Sequence, residues 1–322
     1  SNADGKGLGI LIMHTAAAGE TARPEILVAN DTTPNALLSW DPVSGTWFDR
    51  GFASGLAVSG QGRAEGCMGI AAADLNSDQI PDLVITNFLG ESHAWYESRP
   101  GGAWEDRRLL SRLEQATRDV LGFGTCFLDA NLDGRPELFV ANGHIDNLEH
   151  LGRPYRMPAQ VFKVGGGQFR QLPAATLGAW FQQPHIARAA VALDWNRDHA
   201  PDLLVGLLYE NSALLTNTAA NSGQGISVTL LSPTGQRDPI GARSQLLLED
   251  QSPLGPTLQI LAGHGYQSAA DTTLIHGCGP RKTVPTLRIT WPTGTSDAFH
   301  DVETGSHYIL IEGRSTLWKL PK

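Results

Sequence analysis

The sequence predicts an all-β chain, a run of β-propeller blades followed by a smaller β-sandwich-like domain. Three observations predict it: an internal repeat, four short strand-like runs within each repeat, and little helical periodicity anywhere. The repeat is plainest in DLNSDQIPDLVITNF (74–88), DANLDGRPELFVANG (129–143) and DWNRDHAPDLLVGLL (194–208), with a degenerate copy, PEILVAND, at 24–31. The prolines Pro24, Pro81, Pro136 and Pro201 stand 57, 55 and 65 residues apart.

The first run of each repeat is LGILIMH (8–14), MGIAAAD (68–74), FGTCFLD (123–129) or RAAVALD (188–194). Each carries a small residue, Gly9, Gly69, Gly124 or Ala189, five positions before the loop that follows. The second run is apolar on both faces, Leu83 and Ile85 against Val84, as a strand buried between stacked sheets requires. NALLSW, SHAWYE, AQVFKV and SALLTN form the third, and SGTWFDR, GGAWEDR and GGGQFRQ a fourth that is legible in three copies. Trp47, Trp104 and Phe169 are equivalent there, which favours core packing for the two tryptophans over contact with a sugar. Four strands in about 55 residues, repeated, is the pattern of propeller blades. The expected four-stranded repeats cover 4–60, 61–118, 119–183 and 184–219, and the insertion at 143–159 is a long loop on one rim.

From about residue 220 the pattern changes. ISVTLLS, ARSQLLLE, TLQILAG, TLRITWP and HYILIEG give five strand candidates in a second all-β domain, 220–322, joined through a small, polar linker at 217–225. The opening Ser1-Asn2-Ala3 is a tag remnant, so a native signal peptide would not be visible here.

The chain has 322 residues, 41% apolar and 18% charged, which is globular composition. Its net charge of −9 disfavours nucleic acid and anionic membrane surfaces, and no apolar run is long enough to span a bilayer. The three cysteines, Cys67, Cys126 and Cys278, form no C-x-x-C pair and read as buried thiols, although a Cys67–Cys126 pairing stays open.

The chemistry sits in the loops after the first runs. Side-chain oxygens recur at loop positions 1, 3, 5 and 9: Asp74, Asn76, Asp78 and Asp82; Asp129, Asn131, Asp133 and Glu137; Asp194, Asn196, Asp198 and Asp202. Position 7, occupied by Ile80, Arg135 and Ala200, can add a backbone carbonyl. Six to eight oxygen donors in an irregular shell suit Ca²⁺; Mg²⁺ demands a tighter octahedron, and Zn²⁺ would want His or Cys. Each loop gathers three carboxylates, and two such charges about 4 Å apart repel by about 4 kcal/mol at intermediate dielectric. Asx-turns would explain one or two such residues, but not four alternating donors three times over. Two to three Ca²⁺ sites are therefore expected. Position 6 is glycine only in the second loop, Gly134; Gln79 and His199 could take a left-handed conformation there only at some cost, which predicts weaker sites in those loops. In the first copy His14 replaces the leading Asp, and no metal is expected.

These residues resemble FG-GAP/VCBS repeats, the calcium-loop blades of integrin α-type propellers. VANDTTPNALL, GCMGIAAADLNSD, ITNF and FVANGHID, with GQRDPIGARSQL (235–246), GHGYQSAADTTLIHGCG (263–279) and WPTG (291–294), resemble the ASPIC/UnbV group and the related cartilage acidic protein. Gln236 departs from the Asn frequent in the tail motif. The resemblance implies a propeller with Ca²⁺ at the blade loops, generally seven-bladed, in a secreted, periplasmic or cell-surface protein that binds or adheres. Only four units are legible here.

No zincin, phosphate-loop or nucleophile-elbow motif is present. His144, Asp146, Glu149 and His150 in the rim insertion read as an exposed polar loop, with His144 capping a turn. His264 and Tyr266 read as a buried hydrogen-bonded pair, and Arg237, Asp238 and Arg243 as a structural charge cluster. The expectation is a non-enzymatic, Ca²⁺-stabilised module presenting loops to a protein or carbohydrate partner. The alternatives are an accessory enzyme or cofactor-assembly protein, marked by a junction cleft with perturbed titratable groups, and a structural spacer within a larger polypeptide.

Overall fold

The computed structural model describes residues 5–15, 23–219, 223–233 and 238–321. Gln236 and Arg237 therefore lie outside the described residues.

Each repeat folds as one antiparallel sheet. Sheet I joins β1 (Gly7–Thr15), β2 (Arg23–Asn30), β3 (Ala36–Asp41) and β4 (Thr46–Asp49) in order. Sheet II joins β5 (Ile70–Ala73), β6 (Asp82–Ile85), β7 (Ala94–Arg99) and β8 (Ala103–Asp106) likewise. Sheet III is built from β9 (Gly122–Leu128) and β10 (Glu137–Asn142), then, beyond the short β11 (Met157–Pro158), from β12 (Gln160–Gly165) and β13 (Gln168–Gln171). β11 pairs instead with β14 (Pro184–His185), which ties the rim insertion to the start of the next repeat. Sheet IV holds three strands, β15 (Ala187–Leu193), β16 (Asp202–Leu207) and β17 (Ala213–Leu215), where a four-stranded repeat is expected; the fourth run has no counterpart in its sequence.

The sheets stack face to face. Leu11, Leu27 and Leu37 of sheet I pack on Ile70, Leu83, Ile85 and Tyr96 of sheet II. Ala71, Val84 and Trp95 on its other face meet Leu138, Val140, Phe162 and Phe169 of sheet III. Cys126, Phe139 and Val161 in turn meet Ala187, Ala190, Leu203 and Val205 of sheet IV. Burying each such aliphatic side chain contributes about 1.5–3 kcal/mol. The small residue of each first run marks the closest approach of adjacent inner strands. A β-carbon on Gly69 would lie 2.1 Å from the Phe123 carbonyl oxygen, and one on Gly124 would lie 2.5 Å from the Ala190 nitrogen.

Trp104 and Phe169 are core residues, but Trp47 is 43% exposed, contrary to the packing role expected for it. Its counterparts lie under the preceding sheet, and no sheet among the described residues covers that face of sheet I. Asn30 and Asn142, which end their second strands, and Asn87, two residues past β6, are buried and donate from Nδ2 to the carbonyls of Pro34, Pro158 and Ser92 respectively. The V-x-N and T-N signatures are thus clasps across the turn into the third strand.

The C-terminal domain is a sandwich of two four-stranded sheets. Its strands are β18 (Gly225–Leu231), β19 (Arg243–Leu247), β20 (Leu258–Gln259), β21 (Leu274–Gly277), β22 (Thr283–Thr290), β23 (Ser296–Glu303), β24 (Ser306–Ile311) and β25 (Trp318–Lys319). One sheet runs β21-β18-β24-β25 and the other β20-β19-β22-β23. Ile226, Val228, Leu246, Leu287, Trp291 and Leu310 form the core between them.

This domain docks on the loop end of the stack and touches every repeat. Gln259 exchanges hydrogen bonds with the His14 backbone, and Thr257 N–H donates to Asp74 Oδ2 at 3.3 Å. Gly279 N–H donates to the Leu132 carbonyl at 2.8 Å, and His199 Nδ1 lies 3.0 Å from Ser227 Oγ. The segment around Gly263–Ser268 also enters the axis between the inner strands. Ala262 bridges to Ile12 and Gly265 to Ile70, while a β-carbon on Gly265 would lie 3.2 Å from the Ala190 carbonyl and 3.4 Å from that of Thr125. His264 and Tyr266 do not bond to each other as expected: Tyr266 packs edge-on against Phe123, and buried His264 Nδ1 has no partner.

Candidate metal centres

The three acidic loops share one hydrogen-bond scheme. The position 1 carboxylate accepts from the N–H of position 6: Asp74 from Gln79, Asp129 from Gly134, Asp194 from His199. Asn76, Asn131 and Asn196 accept from the N–H of position 5, and Asp78, Asp133 and Asp198 from that of position 7. Position 9 closes the loop, with Asp82, Glu137 and Asp202 accepting from the N–H of Leu75, Ala130 and Trp195. The other oxygen of Asp82 and Asp202 accepts, at 2.6 Å in each case, from Ser98 N–H and Asn217 N–H. Every second side chain thus turns inward onto its own loop, which is why the donors alternate.

This winding holds position 6 at positive φ whatever residue stands there: Gln79 at 70°, Gly134 at 84°, His199 at 68°. Position 4 is left-handed too, at Ser77 (64°), Leu132 (55°) and Arg197 (60°), which the sequence did not signal. Non-glycine residues in that region cost about 1–2 kcal/mol each.

Burial raises the pKa values of five of the loop carboxylates. Asp82 and Glu137 are pushed up to about 7 and Asp129 to about 6, with Asp74 and Asp202 also raised. Neighbouring loop carboxylates add to the shift in each case.

Among the described residues, no group of three or more His, Cys, Asp or Glu side chains stands at metal-holding geometry; the asparagine oxygens fall outside that set. Asp74 Oδ1 is buried without a hydrogen-bond partner, and an oxygen with one N–H donor retains a lone pair. The donor set of carboxylate, amide and carbonyl oxygens fits a hard cation of the Ca²⁺ type.

In the degenerate first loop the position 9 equivalent, Glu25, is buried and lies 2.6 Å from the Arg50 guanidinium, accepting also from Ser39 Oγ and Thr15 Oγ1.

A second feature was not legible in the sequence. A cavity of about 180 Å³ lies where the loops meet the C-terminal domain. Its walls include Phe127, Leu254, Leu258 and Ile260, with Asp74, Asp129, His264 and His276 among the lining groups. Burial lowers the pKa of His264 to about 4 and of His276 to about 3. Its lining comes from residues more than 180 positions apart, so no local motif announces it.

In the rim insertion, Asp146, Glu149 and His150 are exposed, while His144 is buried and its Nδ1 accepts from Asp146 N–H, closing a turn. Asp238 is exposed, and buried Arg243 sits in the field of Asp74. All three thiols are buried and free, so Cys67 and Cys126 are not paired. Trp95 is buried and Trp195 is 51% exposed. No helix among the described residues is long and apolar enough to cross a membrane.

The family model described as ASPIC and UnbV matches residues 232–317. No curated protein matches the chain. Among solved structures, a triple arginine-to-alanine mutant of AofleA from Arthrobotrys oligospora is similar with a TM-score of 0.33 and 14% identity, over 94% of this chain and 76% of that one. The Dos1 propeller is similar with a TM-score of 0.32 and 10% identity, over 87% of this chain and 67% of that one. The chain is a β-propeller segment of four stacked sheets carrying, at 232–317, a domain of the ASPIC and UnbV family.

Proposed function

We propose that this chain is a non-enzymatic, Ca²⁺-stabilised extracytoplasmic module of the binding or adhesion type, which presents propeller loops to a protein or carbohydrate partner. The observation that carries the metal reading is the common loop scheme. Three loops of different sequence hold the same donors inward between left-handed residues at positions 4 and 6, and each contains a carboxylate of raised pKa. Asp74, Asn76, Asp78, Asp82 and the Ile80 carbonyl would hold one ion. Asp129, Asn131, Asp133, Glu137 and the Arg135 carbonyl would hold the second. Asp194, Asn196, Asp198, Asp202 and the Ala200 carbonyl would hold the third. A bound cation would neutralise each carboxylate group. Extracellular Ca²⁺ levels suit modules with weak sites, which supports the assignment of compartment.

The loops face the C-terminal domain, so their role is to fasten the scaffold, and the partner surface lies on the opposite rim and sheet edges. Thermal unfolding with and without chelator tests the metal: at a hundredfold excess over Kd each site adds about 2.7 kcal/mol. A melt unmoved by EDTA, with no metal in the purified protein, would refute it.

One observation favours a second reading, an accessory enzyme or cofactor-assembly protein with its site at the domain junction. The cavity there brings three carboxylates, Asp74, Asp129 and Asp271, and two neutral histidines into a largely apolar enclosure. A small-molecule thermal-shift screen repeated on His264→Gln separates the readings, since a junction ligand would lose its stabilising effect in that variant.

A further inference from the structure

The repeat breaks its own rule at one place on the rim away from the acidic loops. The first run of each repeat opens there, on Leu8, Met68 and Phe123 in sheets I to III but on Arg188 in sheet IV. The three apolar residues join one cluster, in which Met68 and Phe123 are buried. Arg188 reaches the same cluster, with its guanidinium carbon 4.0 Å from the centre of the Phe123 ring. Its Nη1 donates to the carbonyls of Gly143 and Ala187 at 3.3 and 2.8 Å, and Nη2 to that of His144 at 2.8 Å. An aromatic face and backbone carbonyls thus hold the side chain half-buried in one place, and none of them carries a negative charge. Among the described residues Arg188 has no ion pair, and the titratable groups that bear on it are the phenols of Tyr266, Tyr155 and Tyr209. Of the five N–H donors of a guanidinium, Nε–H and one on Nη2 remain here, the number that a bidentate carboxylate takes. A fixed cation that departs from the repeat and meets no compensating acid marks a functional site more than a packing one.

We propose that this rim binds a sugar acid, a pyranose bearing one carboxylate, at the end of a carbohydrate partner. The inference rests on the binding-module reading above and gives it a ligand class and a place. The carboxylate takes the two remaining donors of Arg188, and tyrosine faces take the sugar ring. Tyr209, just past β16, is 83% exposed, and Tyr155 of the rim insertion stands beside it. Tyr266 packs edge-on against Phe123 at 4.9 Å, next to the guanidinium. Each tyrosine offers an apolar face to the ring and a hydroxyl to the ring's own hydroxyls. The neighbouring acids limit the charge of the ligand. Asp146 lies in the field of Tyr155, and Glu210, next to Tyr209, is already paired with Arg156. A run of acidic side chains would meet these carboxylates, whereas a single carboxylate reaches Arg188 between the rings. The seat is built by sheets III and IV, which pack on each other, and by the axial segment of the C-terminal domain.

Titration calorimetry of the full chain in Ca²⁺ buffer tests the proposal with four probes: methyl glucuronide, methyl glucoside, acetate and a blocked glutamate-rich peptide. The glucuronide is expected to bind. The glucoside, which lacks only the charge, is expected to bind at least about tenfold more weakly, and acetate and the peptide likewise. Arg188→Lys keeps the charge but loses the fork, and should weaken the glucuronide about tenfold. Tyr209→Ala, at an exposed position that leaves the fold intact by circular dichroism, should weaken it about threefold or more. A wild-type chain that does not bind the glucuronide overturns the proposal, as does a peptide bound as tightly as the sugar acid, or full affinity in Tyr209→Ala. A glucoside bound as tightly as the glucuronide, with both unmoved by Arg188→Lys, overturns the site and leaves the binding-module reading standing.

Discussion

In sheet I the carboxylate that follows the repeat proline is Glu25, and Arg50 supplies its positive charge at 2.6 Å. In sheets II, III and IV the same place holds Asp82, Glu137 and Asp202, which have N–H donors but no ion pair among the described residues. The first loop has lost its leading Asp and gained a side-chain cation on its buried carboxylate; the other three kept their acids, and of these only the partly exposed Asp133 has an ion pair, with Lys163, among the described residues. A buried carboxylate needs a counter-charge or a proton, and on the proposed reading the acidic loops draw a cation from solution.

The largest expected effect is on the fixed pair. Arg50→Met leaves Glu25 buried and uncompensated and removes the bond to the Gly102 carbonyl, for a loss of about 3–5 kcal/mol. Urea unfolding should give the same loss with Ca²⁺ and with EDTA. A loss that Ca²⁺ reverses would break the comparison. Asp133→Ala should behave in the opposite way. In saturating Ca²⁺ it costs one site, about 2.7 kcal/mol at a hundredfold excess over Kd, and titration calorimetry loses one equivalent. In EDTA the cost is smaller, on the order of 1 kcal/mol, because only exposed hydrogen bonds from Arg135 N–H and Asn131 Nδ2 and a partly exposed pair with Lys163 are lost.

The chelated protein should also respond to pH. Asp82 and Glu137 have folded pKa values raised to about 7, above their unfolded values near 4. Between those limits the native state binds more protons than the unfolded state, so stability falls as pH rises from about 4 to 7. The slope is on the order of 1 kcal/mol per pH unit for each such carboxylate. Saturating Ca²⁺ should flatten it. A chelated protein whose chemical stability rises with pH over that window would show that the loop carboxylates are already compensated.

The repeat, its strands and the inward-facing oxygens were legible because each is written locally, in a period of two or a spacing of eight. What stayed hidden depends on distant partners. Trp47 and Trp104 occupy the same repeat position, and only the sheet beyond each decides which is buried. His264 and Tyr266 are separated by their contacts in the propeller axis, made with strands encoded well over a hundred residues earlier. The C-terminal sandwich was underread by three strands, β21, β23 and β25, all of which lie at sheet edges. Ser296–Glu303 is largely exposed and polar, so no apolar alternation marks it as a strand.

The smallest expected effect concerns the turn itself. Gln79 at φ 70° and His199 at φ 68° hold a conformation that glycine adopts freely, as Gly134 does at 84°. Gln79→Gly should relieve about 1–2 kcal/mol of backbone strain, partly offset by glycine's entropic cost of about 0.5–1 kcal/mol, for a net gain of roughly 1 kcal/mol. Gly134→Ala should lose about as much. His199→Gly should gain nothing, because it also gives up the contact between His199 and Ser227 at the domain junction. If Gln79→Gly also tightens Ca²⁺ binding, strain limits the first acidic loop. If its stability gain is the same in EDTA, the turn is set by the backbone hydrogen bonds alone, and the cation adds charge balance without reshaping the loop.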